Sequence, residues 1–228
     1  MHLKSLLLVP LASLSLLTPS AQAAPTSDNT FGLTCDKFNK AVTDAGYQAP
    51  SSDKCDHFLN NLSDGNISSA EEAAMFLAEI LWESDGLTAV KEIACENTGC
   101  PGQYGSSSDA SGKSYYGRGY IQLTWSSNYQ MCSQKLYGDD RLVQNPDQVA
   151  DDDNIAWKVS FCYWAERVHS APGVQDGEFG AATKAINGAL ECGSGSAVDK
   201  AKKRFEIYQK VLAVFDPSST PNPAGCYS

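Results

Sequence analysis

From Phe76 to Leu87 the chain reads FLAEILWESDGL. Phe76, Leu77, Ile80 and Leu81 recur at the spacing of an amphipathic helix that buries one face. Upstream, Ser68-Ser69-Ala70-Glu71 has the form of a capping box, and Ser69 with Glu72 offers a second frame. The helix opened there is expected to run to about Ser84, with Gly86 ending it. Residues 35–62 predict two short helices separated by the Pro50-Ser-Ser-Asp turn. Further helices are expected over Thr124 to Leu136, opening at Thr124 or Ser126, and over Pro146 to Val168, Phe179 to Leu190 and Ala197 to Phe215. The stretch 96–114, ENTGCPGQYGSSSDASGKS, is rich in Gly and Ser and reads as a surface loop. The tail from Asp216 to Ser228 carries three prolines and reads as irregular. Strand signals are few, so the expected class is mainly α, with long loops around a rigid helical core.

Residues 1–23 follow a different pattern: Lys4, a leucine-rich run and Ala21-Gln22-Ala23, the form of a secretory signal peptide. The run from Ser5 to Leu17 is too short to span a bilayer, and Pro10 interrupts it. Residues 24–34 then read as a flexible lead-in and 35–228 as a single catalytic domain. All eight cysteines fall after the leader, and an even count in a secreted chain argues for disulfides. No CxxC pair or histidine cluster suggests a metal. His57 and His169 are far apart and read as ordinary surface or boundary residues, which weakens any Ser-His-Asp or Cys-His mechanism. The formal net charge of −10, about −11 without Lys4, makes nucleic acid or an anionic membrane a poor partner. A neutral or cationic substrate remains compatible. Asn61-Leu-Ser63 and Asn66-Ile-Ser68 match the N-glycosylation pattern.

Glu83 falls on nearly the same helix face as Phe76 and Ile80. Burial raises a carboxyl pKa and suits it to general-acid work. Helix geometry alone favours a glutamate that leans into solvent or pairs with a lysine, because helix ends fray. Glu92 follows nine residues later, and two carboxylates flanking a cleft are the equipment for hydrolysing a glycosidic bond. Asp85, Glu96 and Asp109 compete for the same roles, so spacing does not choose the pair. The segment Tyr115 to Tyr129, YYGRGYIQLTWSSNY, combines aromatic rings with amide and hydroxyl groups. That mixture suits a carbohydrate subsite or, equally, an aromatic core segment. Gly117 and Gly119 around Arg118 argue for close backbone approach.

WESDGL, YYGRGYIQLTWSSNY and AINGALECG, in that order, resemble the family 19 glycoside hydrolases, the lysozyme-like chitinases, over about Cys35 to Cys226. The resemblance implies a lysozyme-like helical domain of the short, loop-poor type and an inverting mechanism. It places Glu83 as general acid, Glu92 as general base and Thr124 as a holder of the nucleophilic water. Gln122 and Asn128 match sugar-binding side chains, Tyr115 a cleft-lining tyrosine and Asn187 a cleft asparagine. Glu191 and Arg204 resemble a charged pair beneath the site that keeps the carboxyls poised. A Cys192–Cys226 bridge matches the family, and Cys95–Cys100, Cys35–Cys55 and Cys132–Cys162 are the pairings expected for the rest. No metal or organic cofactor is implied. The expected protein is a secreted monomeric endochitinase acting on chitin or chitooligosaccharides, with no nucleic-acid or membrane partner. Its rivals are a peptidoglycan-cleaving enzyme and a chitin-binding protein with a damaged site.

The chain also departs from the family pattern. Asp85 stands where glycine is usual, placed to raise the Glu83 pKa further, to disturb the turn or simply to point to solvent. Trp82 stands for histidine, Ser127 for a sugar-facing tyrosine and Ala189 for the second glycine of INGG.

Overall fold

The computed structural model describes residues 30–107, 109–193 and 198–226. The leader and the first part of the lead-in lie outside the described residues. The rest of the lead-in is not loose: Leu33 is buried, and Thr34 caps the first helix by accepting from the Lys37 amide.

The described elements are helical. In chain order they are α1 (Cys35–Asp44), α2 (Ser52–Asn60), α3 (Ala70–Glu83), α4 (Ser126–Tyr137), α5 (Arg141–Gln144), α6 (Gln148–Asp151), α7 (Asp153–Tyr163), α8 (Phe179–Glu191) and α9 (Val198–Phe215). Among the described residues extended pairing is limited to isolated bridges such as Lys91 with Arg118 and Arg118 with Leu123. The expected mainly α, lysozyme-like, disulfide-bonded class is therefore what the chain adopts. Among the described residues no helix is long and apolar enough to cross a membrane.

α3 is the organising element, and it differs from the amphipathic helix expected. Every residue from Glu72 to Leu81 is buried, so the helix is enclosed on all sides. α9 packs along it more extensively than any other helix. Elsewhere Phe76 stacks on Phe161 at 4.3 Å and meets Trp164 edge-on at 5.4 Å. Each fully buried aromatic or leucine of this kind contributes about 1.5–3 kcal/mol of transfer free energy. At the start of α3 the second capping frame wins: Ser69 accepts from the Glu72 amide. The Glu72 carboxylate accepts from the Ser68 amide, the Trp164 indole and the His169 ring, so a buried acid is fully engaged. His169 is thus a boundary residue with a structural partner.

The stretch 146–168, expected as one helix, is broken. Asp152 leaves helical geometry and its side chain accepts from the Ile155 amide, ending α6 and capping α7. After Tyr163 the chain widens into a π-helical turn, Trp164–Val168. Of the two expected openings, α4 takes Ser126, because Trp125 stands outside helical geometry at φ 73°. All four expected disulfides are formed: Cys35–Cys55, Cys95–Cys100, Cys132–Cys162 and Cys192–Cys226.

Candidate active site

A cleft of about 480 Å³ opens between the end of α3, the 115–128 segment and α8. Glu83, Glu92, Gln122, Thr124, Asn128 and Asn187 all line it. Each reaches it for a local reason.

Glu83 is the last residue of α3. Its side chain is 18% exposed, unlike the sealed turn that precedes it. Immediately beyond, Ser84 closes the helix by donating its hydroxyl to Ile80 O, and three residues with positive φ turn the chain away: Asp85, Gly86 and Leu87. At Gly86 a Cβ would lie 2.3 Å from the Tyr47 ring, so only glycine fits. Arg204 on α9 holds Glu83 from below, Nη2 to Oε1 at 2.5 Å. Burial pushes the Glu83 carboxyl above its ordinary range, and Arg204 pulls it back in part. The charge of Glu191 raises it further and Lys200 lowers it. Asp85 is exposed and its charge acts on Tyr47, which fits a carboxylate that points to solvent.

Glu92 sits on the loop after α3, tied to the 115–123 segment by its amide, which donates to Gly117 O at 2.8 Å. Its carboxylate accepts from the Tyr104 hydroxyl at 2.7 Å and the Gly117 amide at 3.2 Å, so both oxygens are oriented. The Tyr104 phenol, pushed up to about 12 chiefly by burial and then by Glu92, stays a donor. A Cβ on Gly117 would meet the Gln122 side chain at 2.9 Å, which is why the backbone can approach so closely here.

Arg118, 2% exposed, is the hub of the YYGRG segment. It pairs with Asp147 at 2.8 Å, donates to Ser114 O and the Tyr129 hydroxyl, and lies 3.7 Å over the Tyr116 ring. This hub fixes the turn that presents Gln122 and Thr124. Gln122 donates to Ala89 O and Gly119 O, and Thr124 donates its hydroxyl to Gln122 O at 2.8 Å. With its proton so committed, Thr124 offers lone pairs to a water or sugar hydroxyl. Asn128 donates to Thr124 O from the first turn of α4.

Tyr115 is a correction. Instead of lining the cleft it is fully buried, donating its hydroxyl to Val143 O at 2.9 Å and meeting Tyr129 edge-on at 5.3 Å. Here the aromatic-core alternative holds: every residue from Tyr115 to Ile121 is buried.

Beneath the cleft, Glu191 and Arg204 form the expected pair, Nε to Oε2 at 2.8 Å and Nη2 to Oε1 at 2.9 Å. Arg204 holds the Glu191 carboxyl below its ordinary range against the effect of burial. Asn187 interrupts α8 with φ −141° and donates to Glu191 Oε1 at 2.7 Å, which turns its backbone toward the cleft. Sequence reasoning missed a third acid here. Glu79, fully buried, accepts from Arg204 Nη1 at 2.7 Å and sits 2.6 Å from the Thr183 hydroxyl. It also missed Tyr104, and the placement of Trp125 and Leu190, two of the exposed large apolar side chains, on the cleft wall.

Comparison with known proteins gives the same answer as the site. The family model described as chitinase class I matches residues 73–177, which span the end of α3, both acids and the 115–129 segment. Chitinase C from Streptomyces griseus superposes with a TM-score of 0.68 at 27% identity, covering 88% of this chain and 100% of that one. The chain is homologous to the family 19 glycoside hydrolases. A family 19, class IV chitinase from Zea mays is similar at 25% identity and a TM-score of 0.63, over 82% of this chain and 96% of that one. An acidic endochitinase of Beta vulgaris is 47% identical over 106 residues, 46% of this chain and 35% of its own length. An Arabidopsis thaliana endochitinase is 34% identical over 146 residues, 62% of this chain and 50% of its own. The chain thus spans a third to a half of the length of these two relatives.

Proposed function

We propose that the protein is a secreted endochitinase that cleaves β-1,4-linked N-acetylglucosamine chains with inversion. The observation that carries this reading is the pairing of unlike carboxyls in one cleft: Glu83, buried and pushed toward its protonated form, and Glu92, oriented by Tyr104 and the Gly117 amide. Glu83 donates its proton to the bridging oxygen as the bond to C1 breaks. Glu92 takes a proton from a water held in part by Thr124, and that water attacks the opposite face of the sugar. An inverting site of this kind needs its carboxyls about 6.5–9.5 Å apart to leave room for the water. Gln122, Asn128 and Asn187 supply amides for the sugar hydroxyls and acetamido groups. The names of the similar proteins support the substrate class, and the net charge of −10 favours a neutral polysaccharide over an anionic bacterial wall. The leader pattern and the four disulfides support secretion.

The test compares the secreted protein with Glu83→Gln on chitohexaose and on peptidoglycan, with the product anomer read by NMR before mutarotation. The expected result is α-anomer from chitohexaose and a loss of about 10²–10⁴-fold in kcat for the variant. Release from peptidoglycan alone would transfer the reading to a lysozyme-type enzyme. No product from either substrate would leave a chitin-binding role.

A further inference from the structure

Four ionisable side chains meet beneath the cleft: Glu79 and Glu83 on α3, Glu191 on α8 and Arg204 on α9. Arg204 is 1% exposed, Glu191 3% and Glu79 0%. The guanidinium donates to all three carboxyls, through Nη1 to Glu79, Nη2 to Glu83 and Nε with Nη2 to Glu191. Around them stand the Thr183 hydroxyl on Glu79, the Asn187 amide on Glu191, the Trp82 ring 5.6 Å from the guanidinium, Tyr163, which feels the charge of Glu83, and exposed Lys200, which acts on Glu83 and Glu191. One cation thus serves three acids in a desolvated pocket. Such a cluster does not hold three negative charges, and it resolves them by keeping protons. Glu191 has two bonds from Arg204 and one from Asn187, so it takes the ionised role. Glu79 and Glu83 are left to share what remains of the guanidinium.

We propose that Glu79 is a positioning residue of the site: by occupying Nη1 of Arg204 it competes with Glu83 for that charge and so keeps the general acid supplied with its proton. The idea rests on Glu83 acting as the acid. Glu79 touches no part of the cleft; it acts through Arg204 alone. The directions of titration agree, since burial raises Glu79, Arg204 lowers it, and the charge of Glu83 raises it further. The two acids therefore titrate as a coupled pair, Glu79 sealed behind and Glu83 facing the substrate.

The test replaces Glu79 with Gln, which keeps an acceptor for Arg204 and a partner for Thr183 while removing the titration. The basic limb of kcat/KM in Glu79→Gln is expected to move to lower pH by about 1 unit or more, because Arg204 then answers Glu83 more fully. A purely structural role would lower thermal stability or kcat at every pH and leave the limb in place; that outcome overturns the proposal. A second measurement needs no variant to fold and no hydrolysis. In the wild-type protein carrying carboxyl-¹³C glutamate, the Glu83 resonance is expected to show two inflections, one shared with Glu79. Independent single inflections would overturn the coupling. This titration decides the matter even if Glu83→Gln hydrolyses chitin at full rate and the hydrolase reading falls.

Discussion

Asp85 shows how a departure from a family pattern is absorbed at a single residue. It adopts φ 48° in a turn where the next two residues are also left-handed. Asp tolerates this region better than most side chains but still incurs a steric cost that Gly avoids. Its carboxylate bears on Tyr47, and the turn is held by main-chain contacts, including Thr88 Oγ1 donating to Asp85 O. Asp85→Gly therefore keeps the turn and relieves it. The expected outcome is a gain of about 0.5 kcal/mol in thermal or chemical unfolding, offset in part by the added freedom of glycine in the unfolded chain. The basic limb of the activity profile should stay where it is. A limb shifted by the substitution would mean that Asp85 does act on Glu83.

At the scale of elements, the site is made where a rigid helix end meets a pinned loop. The Cys95–Cys100 bridge closes the start of the 96–114 loop, and Ser114 donates to Gly99 O at 2.6 Å across its base. That closure presents Tyr104 to Glu92, with Trp125 meeting the Tyr104 ring edge-on at 5.5 Å. Tyr104→Phe keeps the ring contact and removes the hydroxyl that orients Glu92. A hydrogen bond to a charged group is worth about 1.5–3 kcal/mol. The expected loss is thus about tenfold or more in kcat, with KM little changed. A variant with unaltered kcat would show that the Gly117 amide alone holds the carboxylate. The helices themselves were legible in the sequence, because their apolar spacing and caps are local signals. The enclosure of α3 was not, since Glu72 and Glu79 interrupt its apolar stripe as surface residues would. Yet Glu79 and Glu83, four residues apart, are like charges on one helix face, and such a pair is unfavourable without a shared cation. That was the available clue to Glu79. Tyr115 was placed at the cleft by the resemblance alone, since a tyrosine beside glycines and amides has the same composition whether it faces a cleft or a core.

For the whole molecule, the buried cluster sets how stability depends on pH. Glu79 and Glu83 bind protons more tightly in the folded state than at their ordinary value of 4.5. Between that value and their folded values, the folded protein holds more protons than the unfolded chain, so stability falls as pH rises through this window. Glu191 has the opposite sign: its contribution is present above 4.5 and is lost as pH falls through its lower folded value. The contributions meet at mildly acidic pH, and a net charge of −10 adds self-repulsion on the neutral side. Tm followed by circular dichroism should accordingly be higher near pH 5 than at pH 7, by roughly the few degrees that 1–2 kcal/mol produces in a chain of this size. In Glu79→Gln the decline toward neutrality should be shallower, because one of the two groups that take up protons on folding is gone. A wild-type Tm that climbs steadily to pH 7 would contradict the assignment of kept protons to the pair. The same pair would then have to carry two negative charges around one guanidinium, with Glu79 sealed from water and the proposed acid unable to donate.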